Sequence, residues 1–360
     1  MPDRVRTIIA GSGSYIPERR ISNEHFLGNE FYDADGERIP RESREIIEKF
    51  EAITGIHERR YVTEDLTTSD IGAEASKAAL ESSDIDPETL DCIIVAHNFG
   101  DVRTEGGPPD FVPSLASRVK EKLGIKNPDV VAYDLPFGCP GWLEGAIHAH
   151  SFIQVGRFKR ALVVGAETLS RVLDPHDRDS MIYADGAGAC VLEGIEGPDS
   201  VGVLSHQTRT DTERHAYSLR MGPSYVESYA PASLFLKMQG HRVYEYAVRT
   251  VPGVILKCLE QAGVAAGEIA KVFVHQANAK LDDAIIERVF KRLGADAPPE
   301  GIMPMTIGWL GNSSVATLPT LLDLVYKRRL ENHEIRSGDT IVLASVGAGM
   351  NVNAMVYRLP

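Results

Sequence analysis

The sequence predicts an α/β protein made of two similar halves, each with its own sheet covered by helices. Along the 360 residues, apolar β-branched segments of strand length alternate with longer segments of helical period. Residues 80–96 align without a gap with residues 259–275, and residues 161–165 align with residues 340–344. Both pairs are 179 residues apart (259 less 80, and 340 less 161), which indicates a duplicated unit.

The clearest strands are short runs in which nearly every residue is apolar, at residues 92–96, 161–165, 272–274 and 341–344. Amphipathic stretches between them predict helices, at residues 71–82, 141–155, 243–261 and 281–293. Wholly apolar strands that alternate with helices indicate sheets covered on both faces. The two repeats meet near residue 200, so we predict an N-terminal half at residues 1–198 and a C-terminal half at residues 199–360.

Three long segments interrupt this alternation, at residues 26–50, 99–113 and 207–240. The first is polar and charged, the second is rich in glycine and proline, and the third is rich in tyrosine, serine and proline. Long connections in a compact enzyme commonly form lids or the walls of a site. The alternative is that they are surface decoration without a function.

Charge and hydropathy exclude several classes of partner. The chain has 38 basic and 51 acidic residues, a formal net charge of −13. This balance argues against nucleic acid or an anionic membrane as a partner of the whole surface. The sequence shows no signal peptide, and no apolar run reaches the roughly 18 residues of a membrane span. We therefore predict a cytoplasmic protein.

The four cysteines are scattered along the chain, without a CxxC pair or a histidine-rich tract. This spacing argues against a disulfide framework and against a metal site. Cys92, Cys190 and Cys258 lie in apolar strand or helix patterns, which predicts buried structural thiols. The fourth cysteine has a different local sequence.

Cys139 lies where a strand is predicted to end and a helix to begin, between Gly138 and Pro140. Proline suits the first position of a helix, where its missing N–H costs nothing. The sulfur then lies at a helix N-terminus, whose positive dipole end favours a thiolate, the nucleophilic form. The alternative is an ordinary buried thiol, and the local pattern leaves both interpretations open.

Three further motifs place polar or glycine residues where strands end or helices begin. His275 follows the strand at residues 272–274, Asn312 lies in a turn flanked by glycine, and residues 345–351 form a glycine-rich bend. Taken singly, these motifs predict a strand-end histidine, a helix cap and a turn. Together with Cys139 they form an ordered set.

In chain order, GCPG (138–141), HQAN (275–278), GNSS (311–314) and GAG (347–349) resemble the motifs of the β-ketoacyl-acyl-carrier-protein synthase III family. Further matches spread over nearly the whole chain, including residues 11–23, 54–60, 174–192 and 238–248. The resemblance implies an α/β thiolase fold, which is a duplicated αβαβα arrangement of five layers. It also implies a homodimer.

The resemblance assigns a role to each member of the set. Cys139 takes the acyl group from a primer thioester, while the backbone N–H groups of Cys139 and Ala348 form the oxyanion hole. A malonyl thioester then loses CO₂, and hydrogen bonds from His275 and Asn312 stabilise the enolate. The enolate carbon attacks the acyl group on Cys139 and forms a 3-oxoacyl thioester. This chemistry requires no metal and no other cofactor.

The family places its carrier-protein docking patch just after the histidine motif, where a basic surface attracts an acidic acyl-carrier protein. The corresponding residues are Gln276, Ala277, Asn278, Lys280, Arg288, Lys291 and Arg292. Helical spacing puts the last three on roughly one face. The alternative is a solvated helix face on which Asp282, Asp283 and Glu287 balance the basic charge.

The chain departs from the family where the adenine of coenzyme A is clamped. Lys49 stands where the family has tryptophan and Ile53 where it has arginine, whereas a later arginine of that site remains as Arg178. Loss of this clamp favours a primer delivered by a carrier protein over a coenzyme A thioester. Val112 stands where the family has a bulkier phenylalanine beside the primer pocket, which favours a primer longer than acetyl.

Two other functions remain open. The acyl group on Cys139 could pass to another acceptor, or a β-keto or other non-malonyl thioester could serve as the extender, as in the polyketide and dialkylresorcinol branches of the family. A non-catalytic scaffold that binds a carrier protein is the other alternative. Such a scaffold has little reason to keep Cys139, His275 and Asn312 together.

Overall fold

The computed structural model describes residues 5–33, 35–198 and 200–360. The strands are β1 (Val5–Tyr15), β2 (Arg19–Ser22), β3 (Glu58–Tyr61), β4 (Cys92–Ala96), β5 (Val131–Leu135), β6 (Arg160–Thr168), β7 (Asp185–Glu196), β8 (Gly202–Thr210), β9 (Leu219–Gly222), β10 (Phe235–Met238), β11 (Ile269–Val274), β12 (Thr340–Gly347) and β13 (Asn351–Arg358). The helices are α1 (Ser43–Thr54), α2 (Thr68–Ser83), α3 (Leu115–Lys122), α4 (Gly141–Gln154), α5 (Gly240–Ala262), α6 (Ala279–Arg292), α7 (Ile307–Leu310) and α8 (Thr317–Tyr326).

Two mixed sheets form the body of the protein. The first has the order β1-β7-β6-β4-β5 and the second has the order β11-β12-β13-β8. The strands that the repeat pairs, β4 with β11 and β6 with β12, occupy equivalent places and run parallel to each other within each sheet. At the edge where the first sheet has β5, the backbone N–H of Val272 in β11 donates to Ile302 O at 2.9 Å. The two sheets therefore share one topology.

The predicted join between the halves falls between β7 and β8. The first sheet ends at Glu196 and the second begins at Gly202. The boundary residue itself, Asp199, lies outside the described residues. The division at 198 and 199 therefore stays a prediction, although each flanking strand belongs to a different sheet.

Alternating side chains of the sheets build five layers. In β4, Ile93 and Val95 belong to the core that includes α2 and α3, whereas Ile94 belongs to the core around α4 and α8. In the second sheet, Leu343 of β12 faces the same central helices, whereas Val342 packs with α5 and α6. Because both sheets are covered on both faces, their central strands are almost wholly apolar. The order is helices, sheet, helices, sheet, helices.

Two of the three predicted insertions contain more regular structure than the sequence indicates, and residues 99–113 contain no helix or named strand. Residues 26–50 include the start of α1, and residues 207–240 carry the β9–β10 hairpin. The hairpin is fixed by Lys237, which is 2% exposed and whose Nζ lies 2.5 Å from Asp174 Oδ2. A buried ammonium requires such a partner. In the described part of the chain, no helix has the length and apolarity needed to cross a membrane.

Candidate active site

The Cys139 loop joins β5 to α4 and packs against the bend that follows β12. Gly138 has a φ of 68°, a left-handed conformation that suits glycine, and a Cβ there would lie 2.7 Å from Ala348 N. A Cβ on Gly347 would lie 2.5 Å from Cys139 N. Glycine at both positions therefore lets the backbone of Cys139 approach that of Ala348. This proximity is what an oxyanion hole made of two backbone N–H groups requires.

Two asparagines of β13 fix this arrangement. Asn351 Nδ2 donates to Ala348 O at 2.9 Å and to Phe137 O at 3.3 Å. Asn353 Nδ2 donates to Pro140 O at 3.0 Å. The side chains thus tie both sides of the loop to one strand. Sequence reasoning missed them, although two asparagines in an otherwise apolar strand are an unusual pattern.

Asn312 is 4% exposed and is held by its backbone. Its N–H donates to Ile182 O at 2.9 Å, and its C=O accepts from Ala184 N at 2.8 Å. The side-chain oxygen accepts from Ser314 N at 2.8 Å. Because a backbone N–H can only donate, the amide oxygen must face it, which leaves Asn312 Nδ2 as the available donor. The helix-cap prediction is wrong for Asn312, because Ser313 and Ala316 hold the N-cap positions of the short turn and the helix that follow. The amide nitrogen is the group of Asn312 that can donate to a substrate.

His275 follows β11 directly, and its backbone N–H donates to Ala344 O of β12 at 2.9 Å. The side chain is 5% exposed. Its Nδ1 has no hydrogen-bond partner among the residues that the structure describes. Burial lowers the pKa of His275 to about 4, so the ring is neutral at neutral pH. A neutral ring carries one N–H, which can donate to a substrate oxygen.

The Cys139 sulfur carries its proton in the unloaded protein. Burial raises the pKa of the thiol to about 11, the Ser314 hydrogen bond lowers it, and the Glu167 carboxylate raises it further. The sequence predicts a thiolate at the helix N-terminus, and Cys139 does lie two residues before α4. Burial nevertheless outweighs that effect here. Pro140 is the N-cap residue of α4, one position earlier than predicted.

Three residues that the sequence did not single out connect to this sulfur. Ser314 Oγ donates to Cys139 Sγ at 3.3 Å, and Asn98 Nδ2 donates to Ser314 Oγ at 3.2 Å. Asn98 Nδ2 also donates to Glu167 Oε1 at 2.9 Å, and the Asn98 backbone N–H donates to the same oxygen. The sequence offered one indication of this group, because a glutamate near the end of the otherwise apolar strand β6 is unusual. In the structure Glu167 is 1% exposed.

The structure thus brings most of the predicted set to one place. Ser314 contacts the sulfur of Cys139 and the side chain of Asn312. His275 begins the loop after β11, and the neighbouring strand β12 ends at Gly347, against Cys139. A nucleophile, two neutral donors and two backbone N–H groups can together serve acyl transfer and stabilise an enolate.

The residues predicted for coenzyme and primer binding lie at the surface. Arg178 is about half exposed and pairs with Asp179 at 3.2 Å. Lys49 and Ile53 are exposed on α1. Val112 is 85% exposed, so it bounds no interior pocket of its own chain. The predicted pocket position of Val112 is therefore wrong within one chain, because residues 108–113 lie at the surface.

The predicted docking residues divide into two groups. Gln276 is wholly buried, with its side chain bonded to Pro304 O, Thr306 N and Ile307 N, so its predicted role in docking is wrong. Asn278 caps α6 by accepting from Leu281 N at 3.2 Å, and Asn278 and Ala277 are half-buried. The basic residues of the set are exposed, namely Lys280, Arg288, Lys291 and Arg292. The acidic neighbours Asp283 and Glu287 are exposed as well, whereas Asp282 is buried.

The other cysteines are free and fully buried. Burial raises the pKa of Cys92 and of Cys258 to about 12, and it raises that of Cys190 as well. Within residues 5–33, 35–198 and 200–360, no group of three or more His, Cys, Asp or Glu side chains is arranged to hold a metal ion.

A surface cavity of about 570 Å³ lies beside the glycine-rich bend and is distinct from the cysteine site. Its lining includes Arg209, Asp211, Tyr246 and Arg249, and therefore carries charges of both signs. Asp211 N donates to Met350 O at 3.2 Å, and Tyr246 Oη lies 3.3 Å from the same oxygen. The cavity walls thus support the bend, and none of the residues predicted to be catalytic lines the cavity.

Comparison with known proteins yields a consistent set of relatives. Sequence profiles described as 3-oxoacyl-[acyl-carrier-protein (ACP)] synthase III and as its C-terminal part match residues 133–212 and 259–359. The chain is 33% identical to a β-ketoacyl-[acyl-carrier-protein] synthase III of Erythrobacter litoralis, over 98% of this chain and 99% of the relative.

Solved structures extend the likeness to the fold. The β-ketoacyl-[acyl carrier protein] synthase III of Thermus thermophilus is 30% identical, with a TM-score of 0.77 over 98% of this chain and 99% of that one. The priming β-ketosynthase of the R1128 polyketide biosynthetic pathway is 28% identical, with a TM-score of 0.79 over 100% and 98%. The predicted thiolase fold is confirmed by these likenesses.

Proposed function

The chain belongs to the 3-oxoacyl-[acyl-carrier-protein] synthase III family of condensing acyltransferases, and from that premise we propose that it joins two acyl thioesters through an acyl-enzyme on Cys139. The supporting observation is the position of one sulfur. Its residue packs against Gly347, the neighbour of Ala348, since a Cβ on Gly347 would lie 2.9 Å from Cys139 Cβ, and Ser314 links the sulfur to Asn312. The oxygens of a thioester bound there are within reach of donors on two sides.

In the first half-reaction, Cys139 Sγ attacks the carbonyl carbon of the primer thioester. The carbonyl oxygen becomes negative and accepts hydrogen bonds from the N–H groups of Cys139 and Ala348. The carbon–sulfur bond of the primer then breaks, and the proton of the Cys139 thiol leaves with the departing thiol. These fixed donors stabilise the transition state without reorganisation, because Asn351 and Asn353 hold the loop from behind.

In the second half-reaction, a malonyl thioester loses CO₂ and its thioester oxygen takes up negative charge. His275 and Asn312 Nδ2 donate hydrogen bonds to that oxygen. The pKa of His275, lowered to about 4 by burial, keeps the ring neutral throughout the physiological range. A neutral ring donates to the enolate without transferring a full charge into a buried site. The enolate carbon then attacks the acyl group on Cys139 and frees the sulfur.

We propose that a carrier protein, rather than coenzyme A, delivers the primer. The exposed face of α1 shows Lys49 and Ile53, so it offers no aromatic surface on which an adenine could stack. That face adjoins the start of α6, since a Cβ on Gly55 would lie 3.1 Å from Ala279 Cβ. Helix α6 therefore begins next to that face of α1. Its exposed cations would attract an acidic carrier, namely Lys280, Arg288, Lys291 and Arg292.

We propose that the protein is a homodimer, and the first sheet supports this proposal. In the described part of the chain β5 pairs only with β4, so its other edge has free backbone groups. Large apolar side chains nearby are exposed, with Val131 at 48%, Phe111 at 45% and Val112 at 85%. Pairing of two β5 edges would satisfy the backbone groups and bury this surface. We expect sedimentation analysis to give a dimer and Val131→Asp to shift it towards monomer, and a monomeric wild-type protein would contradict this arrangement.

We place the enzyme in the cytoplasm. The four thiols are free, and a reducing compartment keeps such thiols reduced. Fractionation of the native host with an antibody against the chain tests this placement.

A second candidate uses the same acyl-enzyme with a β-keto or other non-malonyl extender. The observation that favours it is the 28% identity to a priming β-ketosynthase of a polyketide pathway, over the whole of this chain. Such an enzyme needs Cys139 and the oxyanion hole but does not need to release CO₂. The non-catalytic scaffold is the least supported alternative, because Ser314 links Cys139 to Asn312 and burial keeps His275 neutral, which a scaffold does not need.

One experiment separates these functions. Purified protein is incubated with a panel of acyl-carrier and acyl-coenzyme A primers of increasing length, and its intact mass is measured. An acyl adduct that maps to Cys139 supports both enzymatic functions, and its absence with every primer favours the scaffold. Labelled malonyl-carrier is then added: release of labelled CO₂ supports the condensation, and an acylated enzyme that releases none favours the non-malonyl extender.

A further inference from the structure

The Cys139 sulfur has a hydrogen-bond donor outside the predicted catalytic set. Within the described ranges, Ser314 is the residue whose side chain hydrogen-bonds to Cys139 Sγ, at 3.3 Å. Ser314 is 5% exposed and has a φ of 53°. A non-glycine residue in this left-handed region costs free energy, and such strain persists where the surrounding structure fixes it. Its backbone N–H is in fact fixed by Asn312 Oδ1 at 2.8 Å.

The direction of the Ser314 hydroxyl follows from Asn98. Asn98 Nδ2 lies 3.2 Å from Ser314 Oγ and 2.9 Å from Glu167 Oε1. An amide nitrogen carries two hydrogens and accepts none, so it donates to both oxygens. Ser314 Oγ is therefore an acceptor towards Asn98, and its single hydrogen is free to point at the Cys139 sulfur.

The orientation of Asn98 is fixed in turn by Glu167. Oε1 of this 1% exposed carboxyl accepts from both the backbone N–H and the Nδ2 of Asn98. Rotating the Asn98 amide by half a turn would place its oxygen against the oxygen of Glu167, which is unfavourable when that oxygen already accepts from a backbone N–H. The chain from Glu167 through Asn98 to Ser314 thus has one direction of donation, and it ends at the sulfur.

We propose that Ser314 is a catalytic residue that donates its O–H to the Cys139 sulfur as the thiolate forms, and that Asn98 and Glu167 are positioning residues which keep the hydroxyl in that direction. The inference rests on the proposed function, because it concerns the loading of the acyl group onto Cys139. The proton balance of loading is unchanged: the Cys139 proton leaves with the departing thiol, and the Ser314 proton stays on its oxygen throughout.

The test is the pH dependence of alkylation of Cys139 by iodoacetamide in the full-length protein. Only the thiolate reacts, so the midpoint of the rate against pH reports the ionisation of this thiol. Ser314→Ala and Ser314→Gly both remove the hydroxyl, and glycine also suits the left-handed backbone, which guards against misfolding. Both variants should move the midpoint to higher pH and slow alkylation at pH 8 by about tenfold, the order expected for a hydrogen bond to a charged group.

The matched control is Ser313→Ala. Ser313 is the adjacent buried serine, and its Oγ lies 3.3 Å from Thr317 Oγ1, so its hydroxyl is engaged away from the sulfur. Its midpoint should equal that of the wild type. A midpoint that stays at the wild-type value in both Ser314 variants overturns the proposal, and so does an equal shift in Ser313→Ala.

Two further variants test the positioning role. Asn98→Ala frees the Ser314 hydroxyl to rotate, so its midpoint should rise, although less than that of Ser314→Ala. Glu167→Gln keeps an oxygen that can accept from Asn98 and removes the nearby negative charge, so its midpoint should not rise. A midpoint in Asn98→Ala equal to that of the wild type would refute the positioning role of Asn98 and, with it, that of Glu167.

These outcomes are independent of condensation. If the wild-type protein forms the acyl adduct but the midpoints do not respond to Ser314, this inference fails and the proposed function stands. If no primer acylates Cys139, the proposed function fails whatever the midpoints are.

Discussion

The two halves of the molecule place their polar residues at matching points but supply different chemistry. Each central helix is preceded by a site loop, with Cys139 before α4 and Asn312 before α8. The start of α4 touches the turn just before α8, since a Cβ on Gly141 would lie 3.3 Å from Val315 Cγ1. The N-terminal half carries the proposed nucleophile and a buried carboxyl, whereas the C-terminal half carries the proposed neutral donors His275 and Asn312.

This contrast shows that the duplicated fold provides equivalent positions, whereas the side chains at those positions provide the chemistry. A repeated layer arrangement brings two loops and two strand ends to one point, because equivalent elements face each other across the central helices. At the strand ends, β4 is followed by His97 and Asn98, and β11 is followed by His275. The scaffold fixes the positions, and the residue type at each position determines the reaction.

The largest effect should come from removing the nucleophile. Cys139→Ala deletes the atom to which the acyl group bonds, so we expect acyl transfer to fall below detection. Intact mass after incubation with the best primer measures it. Cys258→Ala is the control, because that thiol is buried in α5 and bonds to Ala354 O at 3.4 Å. An acyl adduct of normal yield in Cys139→Ala would move the nucleophile to another residue.

The next effect separates the chemistry of the two halves. His275→Ala and Asn312→Ala remove donors to the enolate, which we expect to slow condensation by about 10²–10³-fold, the range for lost oxyanion donors. Acylation of Cys139 should stay near the wild-type rate in His275→Ala, since the Cys139 and Ala348 N–H groups are unchanged. Asn312→Ala also removes the oxygen that fixes Ser314 N, so it should slow acylation modestly, and by much less than it slows condensation. Single-turnover measurement of each half-reaction distinguishes the two steps. Equal losses of rate in acylation and in condensation would show that the two half-reactions do not depend on different halves of the protein.

The sequence predicts the proposed catalytic residues of the two halves, but it does not predict the residues that contact them. Cys139, His275 and Asn312 could be predicted as site residues because each lies in a local motif at the end of a strand or the start of a helix. Ser314 and Asn98 acquire their roles only from contacts with residues distant in sequence, which no local pattern encodes.

The predicted docking residues show the same limit of prediction from local sequence. The position of Gln276 in the motif suggested a surface role, but the fold buries its side chain against Pro304 and Thr306. The protonation state of the Cys139 thiol could not be predicted either. The sequence indicates a helix N-terminus next to Cys139, but it does not indicate how strongly burial raises the pKa of the thiol.

A smaller effect should distinguish the docking surface from the chemical site. Lys280→Glu combined with Arg288→Glu reverses two exposed charges on α6. We expect KM for a malonyl-carrier to rise by about tenfold while kcat stays unchanged, because electrostatic docking governs encounter and not the chemical step. The difference from wild type should shrink as salt is raised. Reversal of the exposed acidic pair Asp283 and Glu287 to lysine is the matched control and should lower KM. A change in kcat alone would place these residues outside the docking surface.

The smallest effect concerns folding rather than catalysis, and it tests whether the C-terminal half really buries a neutral imidazole. Burial lowers the pKa of His275 to about 4, against about 6.5 for an unfolded chain. Between these values the unfolded state binds more protons, so the stability contributed by this residue is complete above pH 6.5 and is lost as the pH falls towards 4. Relative to His275→Asn, the wild-type Tm should therefore drop by a few degrees more between pH 7.5 and pH 4.5. His241→Asn, at a histidine whose side chain is 84% exposed, should show no such difference. Parallel Tm curves for wild type and His275→Asn would mean that His275 is charged or exposed in the folded protein, and the neutral donor assigned to this half would have to be another group.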